Sequence, residues 1–211
     1  DKVKVWPQYA ESFMTAYPKA ASSKFTVMFT GNIGDAQGLE ALPKLALRLK
    51  EKGHDDCEFI LVGDGRYKSQ LEATIKALNV EDMFTFKGRQ APQKIPKLLS
   101  QADLAFLSFK DTPLFHQTIP AKLQTYLACG KPILALASGE TKRIIDEAQA
   151  GLCVPPGDYD AALSALIQLK TDTKEMLERH AKASLTYAKT HFDKTHLMDQ
   201  FDAMVKEVDD V

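Results

Sequence analysis

Gln117-Thr118-Ile119-Pro120-Ala121-Lys122-Leu123-Gln124-Thr125-Tyr126-Leu127-Ala128-Cys129-Gly130-Lys131-Pro132-Ile133-Leu134-Ala135-Leu136-Ala137-Ser138-Gly139 carries four structural signals in a row. Thr118 fits a helix N-cap, and Pro120 then falls in the first turn, where a missing N–H costs nothing. Ile119, Leu123, Tyr126 and Leu127 share one helical face. Gly130 fits the position just past the helix end, and Pro132 cannot continue it. Ile133 to Ala137 is an apolar run of strand length, of the kind buried on both faces. Helix, stop, buried strand and glycine turn make half of a strand–helix–strand unit. The predicted helix start near Thr118 offers free backbone N–H groups, a lysine one turn in, and no acidic residue between Gln117 and Ser138. Those features suit an anion. They also suit an ordinary core helix with a surface lysine, and the residues alone leave both readings open.

The same alternation extends in both directions. Phe25–Thr30, Phe59–Val62, Met83–Lys87, Asp103–Ser108 and Leu152–Val154 read as further strands. Helical stripes lie between them, through Leu39–Leu49, Leu71–Leu78, Ile95–Leu99 and 141–150, and continue from Ala162 to Leu169. Two more helices are predicted over 173–190 and 194–208, the last amphipathic through Leu197, Phe201, Met204 and Val208. Residues 1–24 read as a lead-in or linker, in which Tyr9, Phe13 and Tyr17 allow a short helix. Alternating strands and helices mean parallel pairing with right-handed crossovers. The predicted fold is α/β, a doubly wound Rossmann-like parallel sheet. Such sheets bind ligands beyond the carboxyl ends of their strands. Those ends carry Gly31-Asn32-Ile33-Gly34, Gly63-Asp64-Gly65, Gly88-Arg89, Phe109–Gln117 and Ser138-Gly139-Glu140. The glycines suit backbone that approaches a ligand, and equally suit ordinary tight turns.

Composition narrows the function classes. The chain has 211 residues, 45% of them hydrophobic, enough for one large or two small globular domains. Its formal charge of −1 gives no electrostatic case for nucleic acid or an anionic membrane. Cys57, Cys129 and Cys153 are far apart, without metal-ligand spacing, which suggests buried thiols in a reducing, cytoplasmic compartment. No signal peptide is expected, and the sequence has no apolar run of membrane-spanning length. The first residue is Asp, which fits a piece of a longer protein. The dinucleotide fingerprint is missing after the first strand, and no phosphate loop or nucleophile elbow is present. His116 is the one histidine at the ligand-facing edge, and a solvated side chain is the simpler reading of it.

Six segments, taken in order, resemble a known family. They are Gly31-Asn32-Ile33-Gly34 with Gln37-Gly38-Leu39, Leu61-Val62-Gly63-Asp64-Gly65, Phe86-Lys87-Gly88, Ala102-Asp103-Leu104, Pro120-Ala121-Lys122 through Gly130-Lys131-Pro132, and Gly151 through Asp158. Together the chain resembles the carboxy-terminal half of a family 4 (group 1) glycosyltransferase of GT-B architecture, in the bacterial surface-polysaccharide branch. The resemblance covers about residues 25–190. It implies a domain that binds the nucleotide-sugar donor, a UDP-sugar, without a metal or other cofactor. It also implies a retaining transfer, an acceptor-binding amino-terminal domain outside this chain, and a final helix, within 191–211, that crosses back to that domain. The acceptor in this branch is usually a membrane lipid, which would bring the enzyme to the inner face of the membrane. The donor residues implied are Gly31, Asn32, Gly34, Gly63, Gly65, Gly88, Arg89, Gln117, Thr118, Ile119, Lys122 and Thr125, with the pyrophosphate at the helix start near Thr118. The chain departs from the family pattern at two places. Gln117 and Thr125 stand where a pair of glutamates is usual, and Asn32 and Gln37 stand where a basic pair is usual. Two alternatives follow from those departures, a donor-type module that binds without catalysis and a related sugar-nucleotide epimerase.

Overall fold

The structure, a computed structural model, describes residues 6–19 and 22–209. Val3 and Val5 of the lead-in lie outside the described residues. Six strands form one sheet: β1 (Phe25–Thr30), β2 (Cys57–Val62), β3 (Phe84–Gly88), β4 (Leu104–Ser108), β5 (Ile133–Leu136) and β6 (Gly151–Val154). The helices are α1 (Ala41–Glu51), α2 (Lys68–Ala77), α3 (Ile95–Leu99), α4 (Pro113–His116), α5 (Ala121–Ala128), α6 (Gly139–Ala148), α7 (Tyr159–Thr171), α8 (Lys174–His191) and α9 (Lys194–Asp209). The strand order is β3-β2-β1-β4-β5-β6, and every pairing is parallel. The predicted doubly wound Rossmann-like sheet is therefore observed.

Alternate residues of each strand feed two separate cores. Val27, Phe29, Phe59, Leu61, Phe106 and Leu134 face α1, α2 and α7. Met28, Ile60, Ala105, Leu107, Ile133 and Ala135 face the layer containing α3, α5, α6 and α8. This two-sided burial explains the continuous apolar runs in the sequence. The order reverses between β1 and β4, and there the sheet parts. β1 pairs with β2 over all six residues, but with β4 only at Val27↔Leu104 and Met28↔Ala105. The Tyr126 hydroxyl, on α5, fills the gap beyond. It accepts a hydrogen bond from the Thr30 N–H at 2.9 Å and donates toward the Phe106 carbonyl at 3.2 Å. Burial pushes the Tyr126 phenol up to about 12.

Two expectations are corrected. The helix predicted with Thr118 as its N-cap starts at Ala121, with Pro120 as its N-cap in extended conformation. The reason lies in Pro120 itself, whose ring keeps the preceding Ile119 out of the helical region. Thr118 instead donates its hydroxyl to the Leu114 carbonyl at 2.7 Å, closing the extra short helix α4. The lead-in holds no helix between Tyr9 and Tyr17. It runs as a strap whose polar groups bond to the helices beneath. Trp6 Nε1 donates to Leu197 O, Ala10 N donates to Phe192 O, and the Gln8 carbonyl accepts from Gln124 Nε2. The helix stop holds as read, with Gly130 at φ +61° and its amide on the Leu127 carbonyl.

Candidate functional site

The loops at the carboxyl ends of β1, β2 and β3 are laced together by their backbones. Gly31 N donates to Val62 O at 2.9 Å, Gly63 N to Gly88 O at 2.9 Å, and Ile33 N to Asp64 O at 2.8 Å. A Cβ on Gly63, at φ +146°, would lie 1.8 Å from the Gly31 carbonyl oxygen. A Cβ on Gly65 would lie 2.3 Å from the Ile33 carbonyl oxygen. The Asn32 amide lies between Gly34 and Gly65, within 2.7 Å and 2.6 Å of where their Cβ atoms would stand. Gly63 and Gly65 thus let one loop lie against the next, and Gly34 leaves room for the Asn32 side chain on its own loop.

Above this floor, at the parting of the sheet, lies a cavity of about 350 Å³. That volume falls in the range of small-molecule sites, and the place is where a doubly wound sheet binds its ligand. A larger cavity of about 440 Å³ lies between residues 10–16 and the carboxyl ends of α5 and α8, away from the strand ends. The site is assigned to the smaller one on topology. Its wall includes Thr30, Gly31, Asn32, Gly63, Asp64, Arg89, Gln90, Ala121, Lys122 and Thr125. Ala121 and Lys122 open α5, and the first of its amides bonded to a backbone carbonyl is that of Leu123, to Pro120 at 2.9 Å. The two amides before it are the orphan donors of a helix start.

Lys122 dominates the electrostatics. It is half-buried, and Nζ lies 4.6 Å from the Phe29 ring centroid and 5.3 Å from that of Phe109. Nζ donates to the Gln37 side-chain carbonyl. No ion pair joins it to a carboxylate among the described residues. Burial without a counter-ion pushes the amine down from 10.5 to about 7. Arg89, exposed on the turn after β3, supplies a second cation. Among the described residues, no group of three or more His, Cys, Asp or Glu side chains is placed to hold a metal.

The family model for glycosyl transferases group 1 matches residues 15–185. The chain belongs to this family. It is 24% identical over 182 residues to an alpha-D-kanosaminyltransferase of Streptomyces kanamyceticus, covering 86% of this chain and 45% of the relative. It is 28% identical over 182 residues to the Escherichia coli (strain K12) protein WcaI, named as a colanic acid biosynthesis glycosyl transferase, covering 85% of this chain and 42% of the relative. The chain thus spans less than half the length of these curated relatives. The crystal structure of Anabaena Alr3699/HepE in complex with UDP superposes with a TM-score of 0.77 at 20% identity, covering 88% of this chain and 49% of the other. At that identity the likeness speaks for the fold.

In this group 1 glycosyl transferase chain, six of the twelve residues read from the sequence line the cavity: Gly31, Asn32, Gly63, Arg89, Lys122 and Thr125. Gly34 and Gly65 lie behind Asn32, and Gly88 holds the β3 turn at φ +63°. Gln117, Thr118 and Ile119 lie on the segment from α4 to α5, outside the cavity wall. That segment is fixed from the far side. A Cβ on Gly139 would meet the His116 carbonyl oxygen at 1.9 Å, and Thr141 donates its hydroxyl to Thr118 O at 3.3 Å. Sequence reasoning missed Met14, which reaches the cavity from the strap, and Gln90 and Ile95 beyond Arg89. It also missed the hold of Gln37 on Lys122, which pairs residues 85 apart in sequence.

Proposed function

We propose that this chain is the donor-binding half of a nucleotide-sugar-dependent glycosyltransferase in cell-surface glycan synthesis. One observation carries the reading: a lysine with no carboxylate partner among the described residues, and the free amides of a helix start, converge on a glycine-floored cavity at the parting of the sheet. A diphosphate matches that set, because it supplies negative charge at both the amides and the amine. The pyrophosphate is assigned to Gly31, Ala121 and Lys122, and the nucleoside to Arg89, Gln90 and Thr125. As the sugar leaves, charge grows on the departing diphosphate, and donors fixed in advance stabilise it. The donor is a UDP-sugar in this reading, held without a metal, and transfer proceeds with retention. The acceptor is lipid-linked and belongs to a second lobe. The face of α9 bearing Met198, Phe201 and Val205, each about two-fifths exposed, is the surface assigned to that lobe.

Isothermal calorimetry of the 211-residue chain with UDP and with GDP tests the reading. One of the two is expected to bind. Lys122→Ala is expected to weaken that binding by about 1–3 kcal/mol, the scale of a hydrogen bond to a charged group. No binding of either nucleotide at millimolar concentration would sink the proposal. A second reading, binding without catalysis, is favoured by Gln117 and Thr125, neither of which carries charge. Turnover of a nucleotide sugar by the full-length protein eliminates it.

A further inference from the structure

Gln37 stands at the end of a 3-10 turn, Asp35–Gln37, after β1. Its backbone is pinned from two sides. Its amide donates to Gly34 O at 3.0 Å, and its carbonyl accepts from Ser108 Oγ at 2.5 Å. Gly38 follows in left-handed conformation at φ +59°, close against the Phe109 backbone. The side-chain carbonyl is therefore presented to Lys122 from a fixed point. It is a neutral acceptor. It orients the amine between the Phe29 and Phe109 rings without neutralising it.

The carboxylates on the neighbouring loops make no ion pair with Lys122 among the described residues. Asp35, on the same turn as Gln37, pairs with Lys110 at 2.5 Å. Asp111, after β4, pairs with His116 at 2.6 Å. Asp64, on the turn after β2, accepts from the Gly65 amide at 2.9 Å. Glu40, ahead of α1, has one carboxylate oxygen buried without a hydrogen-bond partner, but it lines a different cavity and makes no ion pair with Lys122, and Arg89 brings only more positive charge to the cavity wall. The amine is thus desolvated, held by a neutral dipole, and open to the cavity.

We propose that binding of a nucleoside diphosphate at this site is coupled to the uptake of one proton by Lys122, with Gln37 as the positioning residue that holds the amine for it. This rests on the donor-site reading above. The amine takes a proton from solvent, Lys122–NH₂ plus H⁺ giving Lys122–NH₃⁺, and the diphosphate supplies the counter-charge that the protein withholds. In the free chain burial keeps the amine at about 7. Opposite a diphosphate it rises, so affinity is full below that value and falls about tenfold per pH unit above it. A carboxylate at position 37 would abolish the effect twice over. It would keep the lysine charged beforehand and repel the phosphates.

Calorimetry of UDP and GDP binding in buffers of different ionisation enthalpy counts the proton directly. Uptake is expected to be about half a proton at pH 7 and to approach one at about pH 8.5. Over the upper part of that range the terminal phosphate of the nucleotide is already fully ionised. Lys122→Arg keeps the charge but not the titration, so it should bind with no uptake. His116→Asn, which removes the neighbouring imidazole, should leave the uptake in place. Gln37→Leu should move the midpoint of the affinity–pH curve down, and Gln37→Glu should remove the uptake and cost tenfold or more in affinity. A residue with a merely structural role would change the melting temperature and leave that midpoint where it was. Tight binding with no proton taken up by the parent chain, or uptake that survives Lys122→Arg, overturns the inference and leaves the donor site intact. Absence of binding at every pH overturns the donor site itself.

Discussion

Tyr126→Phe tests the parting of the sheet with one atom. The ring is fully buried, and its hydroxyl is the partner of the Thr30 N–H across the gap between β1 and β4. The substitution leaves the ring packing intact and strands that amide, because β4 has already diverged past Met28↔Ala105. A buried donor without a partner costs about 1–3 kcal/mol. The Phe106 carbonyl loses a weaker contact at 3.2 Å, so the upper part of that range is expected, about 2–3 kcal/mol. For a chain of this length each kcal/mol lowers the melting temperature by about 2–4 °C, giving a drop of roughly 4–12 °C. Urea unfolding should show a lower midpoint with an unchanged slope, since the exposed area on unfolding is the same. Thr30 and Gly31 border the cavity, so nucleotide affinity should fall as well. A loss below about 0.5 kcal/mol at unchanged slope would mean that the hydroxyl does not bridge the strands, and the account of the switch point would be wrong.

Gly63→Ala places a Cβ 1.8 Å from the Gly31 carbonyl at a φ of +146°, so backbone must move. It should cost at least about 3 kcal/mol in denaturant melts, and a near-neutral result would contradict the lacing of the β1 and β2 loops. Lys122→Met should trade binding for stability. Below pH 7 the folded chain must hold a desolvated ammonium whose ordinary value is 10.5, and this cost fades as pH climbs toward that value. The variant should therefore melt higher than the parent at about pH 6 and match it by about pH 10; a constant offset across that range would show that the amine is not the source.

The periodic parts of the chain were legible because burial leaves a pattern. Ile133–Ala137 and Phe59–Val62 read as strands through their unbroken apolar runs, and both are, the former ending at Leu136 and the latter starting at Cys57. What failed was local geometry. Thr118 has the chemistry of an N-cap, but Ile119 stands before proline and cannot open a helix, so α5 starts two residues later, at Ala121. Tyr9, Phe13 and Tyr17 have helical spacing, yet the strap bonds its polar groups to α5, α8 and α9 instead of to itself. At the site, Lys122 was readable as a lysine near a helix start with no acidic residue nearby in sequence. Gln37 was not, because nothing in a sequence says that two side chains so far apart will meet. The glycines suited either a ligand or a tight turn, and the structure uses Gly63 and Gly65 as room for neighbouring backbone and Gly34 as room for the Asn32 side chain.

The strap ties distant parts of the molecule together. One end is fastened to α9 through the Trp6 indole, and its middle delivers Met14 to the cavity wall. Lys19 fastens the other end to Asp103, whose second carboxylate oxygen holds the Thr26 amide of β1. One segment of chain thus joins the outermost helix, the ligand chamber and a central strand of the sheet.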